Sequence, residues 1–444
     1  MTVTPARTAA LEILQAVGRG RRLDLAFGAA TRRLPERERH WVHELTYGTV
    51  RLRGRIDHLL DHHVHRGVET VEGPVLDALR LGAYQVLRMG SVPAYAAVSQ
   101  TVTQARSVGG KGAGALANAV LRAVTDRGED PELFPRLEEQ PARHLASWGS
   151  HPLWLVERWL ARWPALDVLE LVERNNRVPA LTVVPLGRTA EQALAALREA
   201  GVEAAPVGRG TECLEVAGGD PARVLQAVAC VVQDPGASLV VSYAGPGDGA
   251  RAASRGADRK APWVADLCAA PGGKALSLAG RGFYVLAADR SVARLRLLRD
   301  NVARTGLRVG LAVAVAERPP VRGAPMVLLD APCTGTGTLG RHPDARWRLR
   351  PSDVKGLARV QARMLDGAAE AVAVGGLLVY STCTLEPEEN RQQVDAFLER
   401  HAGFSLEPPE APDPRYVDPR GLLEVLPQRT GFDGAFAARL RRVE

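Results

Sequence analysis

Two cysteines each stand just past a short apolar run. Cys333 lies in Asp330-Ala331-Pro332-Cys333, after Met326–Leu329, and Cys383 lies in Ser381-Thr382-Cys383-Thr384, after Leu377–Tyr380. The first segment runs on through Thr334-Gly335-Thr336-Gly337-Thr338, and Glu386, Glu388 and Glu389 follow the second. A lone cysteine is ordinarily inert core filler. Two at strand ends of one sheet, one sharing its loop with a carboxylate, point to function. Two thiols and an acid suit one reaction well. A thiolate adds to carbon 6 of a cytosine while an acid serves ring nitrogen 3, and the resulting enamine attacks a methyl donor through carbon 5. Loss of the carbon 5 proton then lets the thiol leave. A free thiol titrates near about 8.5, so the attacking one needs a depressed pKa. The base must be single-stranded or flipped from its stack.

Two further segments could hold a ligand. In Asp266-Leu267-Cys268-Ala269-Ala270-Pro271-Gly272-Gly273-Lys274, a strand enters a turn of small residues and then a helix. Such a turn lets backbone approach a ligand, and a helix N-terminus favours negative charge; tight packing alone would also explain it. Asp289 follows the apolar Tyr284–Ala288 run, placed to accept hydrogen bonds from a ribose. It or Ser291 could equally cap the helix that starts at Val292, and both can hold together. The cluster His58, His62, His63 and His65 has one pair a helical turn apart, a spacing that can hold zinc. No matching Cys/His set follows, so the expectation is a solvated helix face and no metal.

The elements that position these residues follow from periodicity. Residues 5–125 carry helical apolar stripes, among them Ala9, Leu11, Ile13, Leu14 and Val17, and later Leu76, Leu79, Leu81, Tyr84 and Val86. Breaks fall at Gly18-Arg19-Gly20, Gly67 and Gly109-Gly110. An all-α domain over 1–128 is expected, then a proline-bearing acidic linker from Asp130 to Pro141. Residues 145–243 read as a small α+β unit. Trp148, Trp154, Trp159 and Trp163 lie in a helical pattern that suits a core better than a stacking platform. Ala180–Leu186 reads as a strand, Ala190–Glu199 as a helix and Cys213–Val216 as a strand. The Gly/Ala/Arg-rich stretch 244–262 reads as a flexible loop. From 263 to 444 strands and helices alternate: strand Trp263–Leu267, helix from Lys274, strand Tyr284–Ala288, helix Val292–Thr305, strand Met326–Leu329, helix Asp353–Val374, strand Leu377–Tyr380. That alternation implies a mostly parallel sheet with helices on both faces, ligands binding beyond the carboxyl ends of its strands.

The 444 residues suggest two to four domains, at about 150 residues each. With 46% hydrophobic and 24% charged residues, general disorder is excluded. Five cysteines (Cys213, Cys230, Cys268, Cys333 and Cys383) are too few for a disulfide scaffold and suit a reducing compartment. No uncharged apolar run reaches the ~18–20 residues of a membrane span. Met1–Leu14 has no apolar signal core, so a cytoplasmic location is expected. The net charge is +7, and only Lys111, Lys260, Lys274 and Lys355 are lysines; the remaining bases are arginines, which pair phosphates bidentately.

Together these motifs resemble the RNA cytosine-5 methyltransferases. Asp266–Lys274, Asp330–Gly337 and Ser381–Thr384 with Pro387-Glu388-Glu389-Asn390 are similar to that family's first, fourth and sixth motifs. The likeness extends to Gln233-Asp234-Pro235-Gly236-Ala237-Ser238, to Arg341-His342-Pro343-Asp344 with Trp347, and to Phe432-Asp433-Gly434-Ala435-Phe436. The N-terminal helices, notably Ala117–Arg122, resemble a NusB-like RNA-binding domain, and the combination resembles the RsmB (also Sun or Fmu) branch over nearly the whole chain. The resemblance implies a NusB-like domain, a small α+β RNA-binding domain and a Rossmann-like class I methyltransferase core. It implies that Cys268, Ala269, Ala270, Pro271, Gly272, Gly273 and Lys274 form the S-adenosyl-L-methionine loop and that Asp289 binds the donor's ribose. Cys383 would be the nucleophile and Cys333 would help release the base. Asp330 would contact the donor's amino-acid moiety or the cytosine. The implied substrate is 16S ribosomal RNA, at cytosine 967. Transfer RNA, 23S ribosomal RNA, or a role as an inactive assembly factor are the alternatives. Three departures stand out. Ala312–Ala316 lacks the acid many members carry after the third strand, Glu317 being nearest. Pro235-Gly236 interrupts the usual Gln-Asp-Glu-Ala-Ser. The 244–260 loop is long.

Overall fold

The computed structural model describes residues 2–208, 210–218, 220–245, 262–410 and 413–444. Most of the expected 244–262 loop, residues 246–261, therefore lies outside the described residues. The chain forms two compact units, Met1–Val178 with Leu339–Leu349, and Pro179–Thr338 with Arg350–Glu444.

The first unit is helical. Helices α1 (Pro5–Gly18), α2 (Leu23–Ala30), α3 (Glu36–Arg51), α4 (Arg53–Asp61), α5 (Gly73–Arg88) and α6 (Ala94–Arg127) enclose one core, built on Ile13, Leu14, Leu45, Leu79, Leu81 and Leu121. The expected break at Gly109-Gly110 is a kink: Gly110 has φ 76°, and helix continues on both sides. Helices α7 (Pro141–Ser147), α8 (Leu153–Leu160) and α9 (Ala165–Asn176) complete the unit. Of the four tryptophans expected in this core, Trp159 is fully buried, and Trp148 instead stacks under the Arg55 guanidinium. Of the four clustered histidines, expected on a solvated face, His58 and His62 instead dock on the chain, with Nε2 atoms 2.8 and 3.0 Å from the Leu133 carbonyl.

Leu339–Leu349 belongs to this unit although it interrupts the catalytic stretch in sequence. Arg346, fully buried, donates to the carbonyls of Arg51, Ser150, Asn175 and Leu339 and to Asn176 Oδ1. Trp347 Nε1 donates to the Val50 carbonyl, and Asp344 accepts from Leu23 N. The family-like Arg341–Asp344 and Trp347 segment is thus built into the helical core, which the periodicity of residues 263–444 did not disclose.

In the second unit, strands β1 (Leu181–Pro185), β2 (Ala204–Pro206), β3 (Leu214–Val216) and β4 (Cys230–Val232) form an antiparallel sheet in the order β2-β3-β1-β4. Helix α10 (Ala190–Glu199) begins where expected, fixed by a capping box of Thr189 and Gln192. The larger sheet runs in the order Phe404–Leu406, Ala435–Arg442, Val372–Thr382, Ala324–Asp330, Trp263–Asp266, Tyr284–Asp289 and Val309–Val313, with Leu423–Val425 paired to Ala435–Arg442. Its parallel part is β5 (Trp263–Asp266), β6 (Tyr284–Asp289), β7 (Val309–Val313), β8 (Ala324–Asp330) and β9 (Val372–Thr382). Alternate residues serve two cores. Val327, Leu329, Leu378 and Tyr380 face the helices Pro351–Ala371 and Arg391–Arg400, whereas Leu328, Met326, Leu377 and Val379 face the helices Gly273–Gly280 and Val292–Thr305.

The sheet is mixed. Strands β10 (Phe404–Leu406), β11 (Leu423–Val425) and β12 (Ala435–Arg442) are antiparallel additions that strand–helix alternation did not anticipate. The helix expected over Asp353–Val374 ends at Ala371, where Val372 already begins β9. Pro235 opens helix α11 (Pro235–Ala244) at its first position, with Asp234 as cap. A Cβ on Gly236 would lie 2.3 Å from the Asp433 carbonyl, so the departure at Pro235-Gly236 permits a close approach to the C-terminal turn.

Asp234 Oδ1 accepts from Gly236 N at 2.8 Å and Asp433 N at 2.9 Å. Asp234→Ala is expected to cost on the order of 2–4 kcal/mol, since two N–H groups lose their partner. Urea unfolding checks this; a loss under about 0.5 kcal/mol would contradict it.

Candidate active site

Every chemistry-bearing segment sits at the carboxyl edge of the parallel strands. Cys268–Gly273 follows β5, Asp289 ends β6, Asp330 ends β8 and Cys383 follows β9, and these strands are sheet neighbours in the order β9-β8-β5-β6. A line of contacts joins them. Asp289 accepts from Ala270 N at 3.2 Å, Lys274 Nζ meets Asp330 Oδ2 at 2.7 Å, and Ser381 Oγ donates to Asp330 Oδ1 at 2.8 Å. The Cys333 and Cys383 sulfurs are 3.5 Å apart, and Cys383 N donates to the Cys333 sulfur at 3.4 Å.

The two sulfurs differ in surroundings. The hydrogen bond to Cys383 and burial push the Cys333 thiol well above its ordinary value, which keeps it protonated. Burial works against the Lys274 ammonium, but the Asp330 charge and hydrogen bond, with a contribution from Cys383, raise its pKa overall. A fixed cation therefore acts on both Asp330 and the Cys383 sulfur. Burial pushes the Cys213 and Cys230 thiols up to about 12 and about 11, and raises that of Cys268, so these three are inert.

Sequence reasoning counted Lys274 as part of the turn and missed its pairing with Asp330 across 56 residues. It also missed Arg294, which pairs with Asp289 at 3.3 Å and donates to the Ala270 carbonyl. Of the two capping options the structure takes Ser291, whose Oγ accepts from Arg294 N, while Asp289 Oδ1 accepts from Ser291 N just before the helix. Asp266, in the first motif but absent from the expected site, is fully buried. Burial, with the Asp330 charge near it, pushes its carboxyl up to about 7.

The residues fit a methyl donor with a ribose and an amino-acid end. At Gly272 φ is 115° and a Cβ would lie 2.3 Å from Leu298 Cδ1, so the turn lies bare of side chain there. Asp289 is buried, and its carboxylate can accept more than the contacts it already has. At the end of β7, Ala314 N donates to the Asp289 carbonyl, and no acid stands within Ala312–Ala316. Among the described residues no group of three His, Cys, Asp or Glu could hold a metal ion, and no helix is long and apolar enough to cross a membrane.

Residues 257–441 match the family model of the 16S rRNA methyltransferase RsmB/F, residues 4–126 the NusB family, and residues 151–222 the ferredoxin-like domain of RsmF/B-like methyltransferases. Ribosomal RNA small subunit methyltransferase B of Thermus thermophilus is 35% identical, over 98% of both chains. The chain belongs to the RsmB/F methyltransferase family. The corresponding enzyme of Serratia proteamaculans is 30% identical over 90% of each chain. The crystal structure of PH0851 shares the fold over all of both chains, with a TM-score of 0.76 at 23% identity. The family member described here is thus an RNA methyltransferase with S-adenosylmethionine as its methyl donor, built as a NusB-like helical domain, a ferredoxin-like domain and a Rossmann-like core.

Behind Cys383 the backbone is packed tightly. A Cβ on Gly337 would lie 2.7 Å from Gly434 Cα and 2.8 Å from the Cys383 carbonyl, to which Gly337 N donates. Gly337→Ala is expected to displace the Cys383 loop and reduce methyl transfer roughly 10²-fold. Unchanged turnover with a folded variant would contradict this. Asp266 gives a pH signature. Its native carboxyl keeps a proton that the unfolded chain releases near 3.8, so its contribution to stability falls as pH rises from about 4 to about 7. Urea unfolding of Asp266→Asn should show the variant gaining on wild type across that window; a constant difference would contradict the assignment.

Proposed function

We propose that this RsmB/F-family enzyme methylates carbon 5 of a cytosine in 16S ribosomal RNA, at cytosine 967, through a covalent adduct. The observation that carries the reading is the pair of sulfurs 3.5 Å apart beside the Lys274–Asp330 ion pair. Cys383, in the field of Lys274, attacks carbon 6 as a thiolate. Asp330, held by Lys274 and Ser381, orients the cytosine at ring nitrogen 3 or the donor's amino-acid end. S-adenosylmethionine, when bound by the Cys268–Lys274 turn and Asp289, supplies the electrophilic methyl group that carbon 5 takes. The carbon 5 proton then passes to solvent, the carbon 5–carbon 6 double bond re-forms and expels the Cys383 thiolate, and Cys333, its sulfur 3.5 Å away, assists that departure. A protonated Cys333 thiol in contact with Cys383 can donate a hydrogen bond to the departing sulfur, which suits this division of labour. Arginines of the helical domain (1–128) and of the small α+β domain (145–243) would hold the RNA for the core (263–444). Binding should therefore weaken as salt rises. A cytoplasmic enzyme acting on ribosomal RNA is the setting this reading calls for.

Trapping tests it. RNA substituted with 5-fluorocytosine blocks the elimination step, so an attacked base stays bonded to the protein. With 16S RNA and S-adenosylmethionine, wild type and Cys333→Ala should form the adduct and Cys383→Ala should not; the trapped nucleotide names the target. Loss in Cys333→Ala alone would reverse the two roles. An adduct formed only with transfer RNA or 23S RNA would move the substrate. No adduct with any RNA that binds would leave an inactive assembly factor.

A further inference from the structure

The residues on both sides of each cysteine are gripped from one place. After Cys333, Thr334 N donates to Glu389 Oε1 at 3.0 Å and the Thr334 hydroxyl donates to Glu389 Oε2. Before it, the Pro332 carbonyl accepts from Gln361 Nε2 at 3.0 Å, and the same amide nitrogen donates to Glu389 Oε1 at 2.9 Å. Around Cys383, Asn390 Oδ1 accepts from the Thr382 hydroxyl, and Asn390 Nδ2 donates to the Thr384 carbonyl at 2.9 Å. The loops are then tied to each other. The Thr334 and Thr384 hydroxyls are 2.7 Å apart, and Thr336 Oγ1 is 3.0 Å from Thr384 Oγ1 and accepts from Leu385 N. The Glu389 backbone is anchored in turn, its carbonyl accepting from the Tyr380 hydroxyl at 2.6 Å. Glu389 and Gln361 are fully buried and Asn390 nearly so. None of the three side chains bonds to either sulfur through these contacts. What they fix is the backbone that carries both.

We propose that Glu389 and Asn390, with Gln361, are positioning residues that hold Cys333 at its distance from Cys383 and so allow the adduct to be released. The proposal rests on the two-cysteine reading above and adds residues outside its chemistry. A carboxylate can accept at both oxygens, whereas a glutamine at 389 would turn a donor toward the Thr334 hydroxyl and reverse the hydroxyl chain through Thr384. The Cys333 loop would move relative to Cys383 while Cys383 keeps its own grip from Asn390. Release would then slow more than attack.

The test uses the full chain with ordinary, unfluorinated 16S RNA and S-adenosylmethionine, scoring covalent protein–RNA adduct on denaturing gels beside methyl transfer and thermal melting. Wild type should turn over without accumulating adduct, and Cys333→Ala should accumulate it. Glu389→Gln should accumulate adduct roughly tenfold or more above wild type as turnover falls. Gln361→Met, which keeps side-chain volume and removes the donor to Pro332, should shift in the same direction and serves if Glu389→Gln does not fold. A residue that merely stabilises the fold would lower melting and turnover together with no adduct. Adduct in Cys333→Ala but in neither of these variants overturns the positioning role. No adduct in Cys333→Ala overturns the two-cysteine reading itself, and the positioning role with it.

Discussion

The register between β8 and β9 is the constraint on which the rest of the catalytic unit depends. Asp330 is paired with Ser381 across two parallel strands. Parallel neighbours run about 4.8 Å apart and leave the sheet on the same edge, so the loops they feed start side by side. Cys333 and Cys383 each come within a few residues of that pairing, and their sulfurs meet. A slip of one residue would send every β9 side chain to the opposite face, taking Val379 and Tyr380 out of their cores. Hydrophobic burial on both faces thus secures a polar arrangement at the strand ends. The Ser381–Asp330–Lys274 bonds extend the alignment to β5 and its turn.

Apolar packing alone does not orient a loop. Beyond the strand ends that task passes to buried hydroxyls and amides, with Thr334, Thr336, Thr384, Gln361, Glu389 and Asn390 bonded mainly to one another and to backbone. Such a network is rigid when its members are satisfied and costly when one is removed. Burial raises the Glu389 carboxyl above its usual range while the Thr334 hydroxyl and amide and Gln361 draw it back. The antiparallel strand β12 brings the Gly434 turn against Gly337, with Gly434 N donating to the Gly337 carbonyl at 2.7 Å. Only glycines allow that approach.

The segment Leu339–Leu349 shows a family-like motif serving the packing of the helical unit. Among the described residues Arg346 is buried with no carboxylate partner, and its charge is met by four carbonyls and an amide oxygen. Burial and the nearby Arg51 lower its pKa well below the usual guanidinium range. A cation held this way demands that all of its acceptors be in place, which ties Arg51, Ser150 and Asn175 into a single arrangement within the helical unit.

The sequence by itself determined the local elements and the side on which chemistry stands. Helix Val292–Thr305 and helix Ala190–Glu199 were legible to the residue, because apolar period and end signals are properties of contiguous chain. Strand ends bearing Asp289, Asp330 and the two cysteines were legible for the same reason. The short strands β10 and β11 were not, since three residues carry no period, and β12 mixes arginines with its apolar residues. Only the tertiary structure decided which ends meet: Lys274 with Asp330, Arg294 with Asp289, and Cys333 with Cys383 across 50 residues. Those distances come from strand order, register and buried hydrogen bonds, and none of these is a property of any one segment.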